Sequence, residues 1–191
     1  MSLDTTPKHA QKISRLSSRL VYENRWIRLR EDQVRFPGGH EGIYSVVDKV
    51  DFATIIPLHE DGRVQMVRQY RYPISGRFWE LPQGSWEDAP DADPEALARG
   101  ELAEETGFAA KRIEKLGEIF PAVGLLNQVC HIFLASELIA GEVAREETEQ
   151  DMETEAFALD EIRAMIRKGE IKDSTTISAI GFWLMSAASS D

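Results

Sequence analysis

Apolar residues change their spacing several times along the chain, and each change marks an element. Residues 19–22, 26–36 and 43–47 carry the short alternating runs of β-strands, and Pro37-Gly38-Gly39 between the last two reads as a hairpin turn. Residues 51–58 are apolar and β-branched, as in a buried strand. Glu60-Asp61-Gly62 is a turn, and residues 63–72 form the next strand. Residues 78–84 continue as an apolar strand broken by Pro82 and Gly84. The period then lengthens. A helix is predicted over 93–106, with Asp93 as N-cap, Pro94 in the first turn and Gly107 as a left-handed stop. Leu97 and Leu102 are its buried positions, although they make no clean stripe. Strands follow at 113–120, 129–135 and 153–158. A helix at 160–168 carries Ile162, Met165 and Ile166 and stops at Gly169; a last helix, capped by Asp173 or Ser174, carries Ile177, Ile180, Phe182 and Leu184. Residues 1–15 are polar and aperiodic, either a frayed tail or a short helix. Strands and helices alternating in this irregular way predict an α/β fold, a mixed sheet packed between helices.

The chain has 191 residues, 42% of them hydrophobic, enough for one domain with its own core and a smaller extension. The division expected is an N-terminal β extension over 1–50, with strands 17–47 available for dimerisation, followed by a main domain over 51–191. A net charge of −11 argues against nucleic acid as partner and makes a cation more necessary if the substrate is a polyphosphate. The single cysteine, Cys130, excludes an internal disulfide and sits in a strand-like run, where a buried inert thiol is expected. The four histidines show no zinc-ligand spacing. No window is apolar enough to span a membrane and the first residues are not a secretory signal, so a cytoplasmic protein is the expectation.

The candidate chemistry lies in the long helix. Glu101, Glu104 and Glu105 stand at i, i+3 and i+4, which places three carboxylates on one helical face. Such a face either lies in open water or surrounds a hard divalent cation, which also grips phosphates. The flanking Asp93-Pro94 start, the Gly107 stop and the preceding Glu80-Leu81-Pro82-Gln83-Gly84 loop favour the second reading.

These residues resemble the Nudix box, in particular that of the ADP-ribose pyrophosphatases and nucleoside diphosphate sugar hydrolases. Glu101-Leu102-x-Glu104-Glu105-x-Gly107-Phe108 matches the second half of the box, and Glu80 to Gly84 resembles the segment that opens it. Similar runs occur at Glu23-Asn24-x-Trp26-Ile27-x-Leu29, at Val67-Arg68-Gln69-Tyr70-Arg71-Tyr72-Pro73, at Leu116-Gly117-Glu118-x-Phe120-Pro121 and at Gly169-x-Ile171-x-Asp173-x-x-Thr176. The resemblance implies an α/β/α sandwich, a homodimer and Mg²⁺-dependent hydrolysis of a diphosphate, with Mn²⁺ as an alternative ion. ADP-ribose, cleaved to AMP and ribose 5-phosphate, is the leading substrate. It implies Glu101, Glu104, Glu105 and the carbonyl of Gln83 as metal ligands, Glu104 and Glu105 as catalytic carboxylates, and Glu149 or Asp151 as the loop acid that activates water. Arg68, Arg71 and Glu80 belong to the substrate site on the same grounds. Trp26 either stacks on an adenine or is a plain core or interface Trp.

The box also departs from its pattern. Its first Glu falls on Ala92, its Arg falls on Gly100, and two extra residues sit in the loop. In the family that Arg positions the catalytic carboxylates. Arg99 is one residue early, a rotation of about 100° on a helix. Either the site has lost this cation, or Arg99 or Arg68 replaces it. On the second reading Gly100→Arg should raise thermal stability through helix propensity and alter the rate by less than about tenfold. The alternatives to the pyrophosphatase are a non-catalytic nucleotide-sugar-binding domain and a Nudix hydrolase of coenzyme A or dinucleoside polyphosphates.

Overall fold

Residues 12–142 and 151–187 are described by the computed structural model, and they fall into two units. The first comprises the residues up to 49 together with 122–127, and the second the residues 50–121 together with those from 128 onward.

The first unit is an antiparallel sheet of β1 (Ser14–Glu23), β2 (Arg28–Arg35) and β3 (Glu41–Asp48) in that order. The turn between β2 and β3 uses Gly38 and Gly39, both at φ 92°, a left-handed conformation that favours glycine. Strand β1 starts at Ser14, inside the expected tail of 1–15, of which residues 1–11 lie outside the described residues, and all ten of its residues are exposed. Cross-strand pairs Arg19–Glu31 (3.0 Å) and Arg30–Asp48 (3.0 Å) tie the ladder together. Asn127 closes the unit: its amide donates to Asp48 at 2.9 Å, and its side-chain oxygen accepts from the Lys49 N–H at 3.1 Å.

The second unit carries two sheets. One has the order β7-β4-β9-β8, built from β7 (Gln83–Gly84), β4 (Phe52–Pro57), β9 (Cys130–Ala140) and β8 (Phe108–Ile119). Strands β4 and β9 run parallel and the other pairs antiparallel, so the sheet is mixed. The other has the order β10-β5-β6: β10 (Glu153–Phe157), β5 (Val64–Arg71) and β6 (Gly76–Glu80). Alternation along β4 and β9 splits the core into two layers. Ala53, Ile55, Phe133 and Ala135 face helix α1 (Pro94–Thr106) through Leu97, Ala98 and Leu102. Ile56, Cys130 and Ile132 pack instead with Ile162 and Met165 of α2 (Leu159–Lys168) and Ala179 and Ile180 of α3 (Ser174–Ala187). This is the α/β/α layering anticipated from the sequence.

The helix signals act as read. Asp93 accepts a hydrogen bond from the Ala96 N–H at 3.0 Å, and Gly107 ends α1 at φ 75°. Strand β8 begins at Phe108, directly after that stop and five residues before the expected start at 113. Its pairing with β9 supplies the hydrogen bonds that the residues between 108 and 113 do not advertise by alternation. The thiol of Cys130 is fully buried, and burial, followed by the charge of Asp173, pushes it up to about 12.

Candidate active site

Helix α1 buries an unusual stripe. Leu97, Ala98 and Leu102 enter the core, and Glu101 and Glu105 lie beside them at 7% and 1% exposure, with Glu104 half-buried. The stripe looks imperfect in sequence because its buried face includes carboxylates. Strand β7 meets this face at both of its residues. The Gln83 N–H donates to a carboxylate oxygen of Glu105 at 3.1 Å. At Gly84 the carboxylate of Glu101 lies so close that an added Cβ would stand 2.2 Å from Oε2. Glycine is required there by proximity rather than by dihedral angle. Gly84→Ala is therefore expected to displace the flexible Glu101 carboxylate rather than the backbone. The fold should survive, with Tm within a few degrees of wild type, while the metal concentration needed for half-maximal activity rises about tenfold or more. An unchanged metal requirement would contradict this.

A second set of polar groups abuts the first. Arg71 at the end of β5 donates from Nε to both oxygens of Glu80 at 3.0 Å, and Glu80 is 3% exposed. Burial lowers the tendency of Arg71 to hold its proton, but the hydrogen bond and charge of Glu80, then the charges of Glu105 and Asp173, outweigh burial and raise it. The Gln83 side-chain amide donates to Glu80 at 3.1 Å and to Asp173 at 3.3 Å. Asp173 also caps α3, accepting from the Thr176 N–H at 2.7 Å, while the Thr176 hydroxyl accepts from the Leu81 N–H at 2.9 Å. These bonds lock the Glu80-to-Gly84 segment between the β5–β6 hairpin and α3. An open cleft of about 370 Å³ lies against this network, lined by Arg71, Ile74, Phe78, Glu80, Lys172 and Asp173. Lys172 places its ammonium 5.2 Å from the Phe78 ring centre.

Arg71, Glu80, Gln83 and Glu105 are thus joined by direct contacts, and Glu101 joins them through Gly84. Other candidates stand elsewhere. Arg68 lies on the opposite face of β5, 6.0 Å over the ring of Trp79 and 3.4 Å from Glu153. Asp151 is paired with Arg77 and accepts from that guanidinium through its carbonyl at 3.1 Å as well. Glu149 lies outside the described residues. Trp26 is 56% exposed in the turn between β1 and β2. Asp173, expected as a helix cap and as part of the Gly169-to-Thr176 run, is also a partner of the site through Gln83.

Neither substitute proposed for the missing box Arg takes that place. Arg99 pairs with Glu95 at 2.8 Å and donates to the Ala110 carbonyl at 2.8 Å, a structural role on the far side of the helix turn. Arg71 is hydrogen-bonded within the buried carboxylate network, through Glu80. At Gly100 itself the indole of Trp86 fills the space, and an added Cβ would stand 2.3 Å from its Cζ2. An arginine at this position would therefore meet the ring, which sets packing against the helix propensity that a stability gain relies on.

The donor set is one of hard carboxylate oxygens, which suits a hard divalent cation. Among the described residues, no three Asp, Glu, His or Cys side chains converge as a ready cage. Mg²⁺ does not need one: it usually keeps waters and binds through one or two carboxylates plus substrate phosphate.

Comparison with known proteins places the chain in a family. A model of the nucleoside diphosphate sugar hydrolase N-terminal domain matches residues 13–47, and a model of the NUDIX domain matches 49–178. The chain is 32% identical over 168 residues to an ADP-ribose pyrophosphatase of Mycobacterium tuberculosis, covering 86% of this chain and 80% of that one. It is also 32% identical over 144 residues to a GDP-mannose pyrophosphatase of Pectobacterium atrosepticum, covering 71% and 73%. A crystal structure of an ADP compounds hydrolase superposes with a TM-score of 0.81 at 19% identity, covering 94% of this chain and 98% of the other, a likeness of fold.

Proposed function

Because the chain belongs to the Nudix family, as a pyrophosphohydrolase of that family, we propose that it hydrolyses the diphosphate bond of a nucleoside diphosphate sugar. ADP-ribose is the leading substrate, giving AMP and ribose 5-phosphate. The observation that carries this reading is the buried pair Glu101 and Glu105, held against Gln83-Gly84 beside the Arg71–Glu80 cleft.

Nudix hydrolases use divalent metal ions. Here the ion is Mg²⁺, with Mn²⁺ able to replace it, and the oxygens of Glu101, Glu104 and Glu105 with the Gln83 carbonyl would hold it. Once bound, such an ion neutralises the diphosphate and lowers the pKa of an attached water. The rest of the chemistry belongs to the chain. Arg71 and Lys172 bring positive charge to the cleft where a diphosphate enters. Glu80, bonded to Arg71 and Gln83, fixes the guanidinium plane. Glu149 is the preferred loop acid for orienting or deprotonating water, because Asp151 is already paired with Arg77. Trp26 is offered as the adenine-stacking residue.

The test is formation of the phosphomonoester products, followed by chromatography or by the phosphate that an added alkaline phosphatase frees from them, from a panel of ADP-ribose, GDP-mannose, other nucleotide sugars, coenzyme A and dinucleoside polyphosphates with Mg²⁺ or Mn²⁺, beside direct binding. Fastest turnover on ADP-ribose supports the reading. Tight binding of a nucleotide sugar without turnover would replace it with a binding role.

The N-terminal strands serve dimerisation in this reading. Strand β1 is a sheet edge, and Leu16, Leu20, Val21 and Tyr22 along it are exposed at 43–53%. Sedimentation is expected to give twice the 21.6 kDa chain mass; a monomer at micromolar concentration would refute it. No helix among the described residues is long and apolar enough to cross a membrane, and a cytoplasmic location accords with that and with the single buried thiol.

A further inference from the structure

Two glycines, one on α1 and one on the loop that precedes it, each make room for a side chain of the other element. On the loop, Gly84 leaves room for the carboxylate of Glu101. On the helix, Gly100 leaves room for the indole of Trp86: an added Cβ would lie 2.3 Å from Cζ2, 3.1 Å from Cη2 and 3.3 Å from Cε2. Three ring atoms at such distances mean that the six-membered ring lies on the helix backbone itself. Glycine is the poorest helix former after proline, so its place inside α1 needs a reason, and the ring supplies one. Trp86 is half-buried and packs with the cluster of Leu97, Ala98 and Leu102. Its loop is braced locally, with the Ala89 N–H donating to the Trp86 carbonyl at 3.0 Å and the Ser85 hydroxyl donating to Glu87 at 3.0 Å.

We propose that Trp86 is a positioning residue for the carboxylate helix: its indole, seated on Gly100, occupies the space of the side chain missing there and fixes by packing where Glu101 stands against Gly84. The inference rests on the metal-dependent hydrolase reading for its consequence and on geometry alone for the contact.

A double-mutant cycle tests both parts in the full chain. Gly100→Ala should lower Tm when Trp86 is present, because the methyl meets the ring. In the Trp86→Ala background the same change should raise Tm, because only helix propensity remains. Mn²⁺ binding, measured by calorimetry without substrate, should weaken about tenfold in Trp86→Ala, within the range seen when groups that orient metal ligands are removed. Trp86→Phe should recover part of that loss. The Mn²⁺ concentration for half-maximal hydrolysis of ADP-ribose should shift in parallel, with KM at saturating metal unchanged. If Trp86→Ala is too unstable to measure, Trp86→Leu runs the same cycle. Gly100→Ala having the same sign in both backgrounds would overturn the seating contact. Reversal of sign with unchanged Mn²⁺ affinity would overturn the positioning role. A wild-type protein that neither binds Mn²⁺ nor turns over any diphosphate would defeat the hydrolase reading and the positioning role together, while the stability cycle would still decide the contact.

Discussion

Glu105→Gln is expected to fold normally and to lose at least about a hundredfold in rate, or ~2.7 kcal/mol in barrier. Glu105 is 1% exposed and accepts the Gln83 N–H at 3.1 Å. The glutamine has the same shape, and its amide oxygen can accept that same hydrogen bond. It also removes one of the like charges spaced at i, i+3 and i+4, which relieves repulsion along α1. What disappears is an anionic oxygen suited to a hard cation beside phosphate. Thermal unfolding and turnover of ADP-ribose over a range of Mg²⁺ separate the two effects. Hydrolysis at the wild-type rate would remove Glu105 from the metal site.

Gly100→Arg should destabilise the protein. Replacing glycine inside a helix gains up to about 1 kcal/mol in propensity. Against this, the new Cβ would stand 2.3 Å from Trp86 Cζ2, and the ring is packed against Leu97, Ala98 and Leu102 rather than free to swing. Overpacking of this kind costs about 1–3 kcal/mol, and in a chain of this size each net kcal/mol lowers Tm by roughly 2–4 °C. The rate should fall as well, because Glu101 is the next residue along the helix. Differential scanning calorimetry beside steady-state kinetics decides the matter. A higher Tm would mean that the indole yields its place at little cost.

Both variants bear on how much of the site could be read in advance. The i, i+3, i+4 glutamates, the Asp93-Pro94 start and the Gly107 stop are local features, and local chain geometry is enough to place three carboxylates on one face of a helix. The Glu80-to-Gly84 segment was legible for a related reason: its Pro and Gly interrupt a strand, and the structure divides there into β6 and β7. That Asp173 also meets the site is not legible in sequence, because a capping residue looks the same whether or not the oxygen that accepts the Thr176 N–H also accepts from a distant Gln83. Arg99 and Arg68 bond elsewhere, to the Ala110 carbonyl and to Glu153, since proximity along the chain or strand says little about direction.

The sequence by itself determined the alternation of strands and helices, their caps and turns, the acidic helix face and the family resemblance, because each depends on residues a few positions apart. Tertiary structure alone decided which cation meets the buried carboxylates, that Asp173 and Thr176 brace the loop from α3, and that Trp86 rests on Gly100. Those contacts join residues separated by 9 to 95 positions, and they depend on how closely the side chains approach one another. Close packing resolves such distances, whereas residue type and spacing do not.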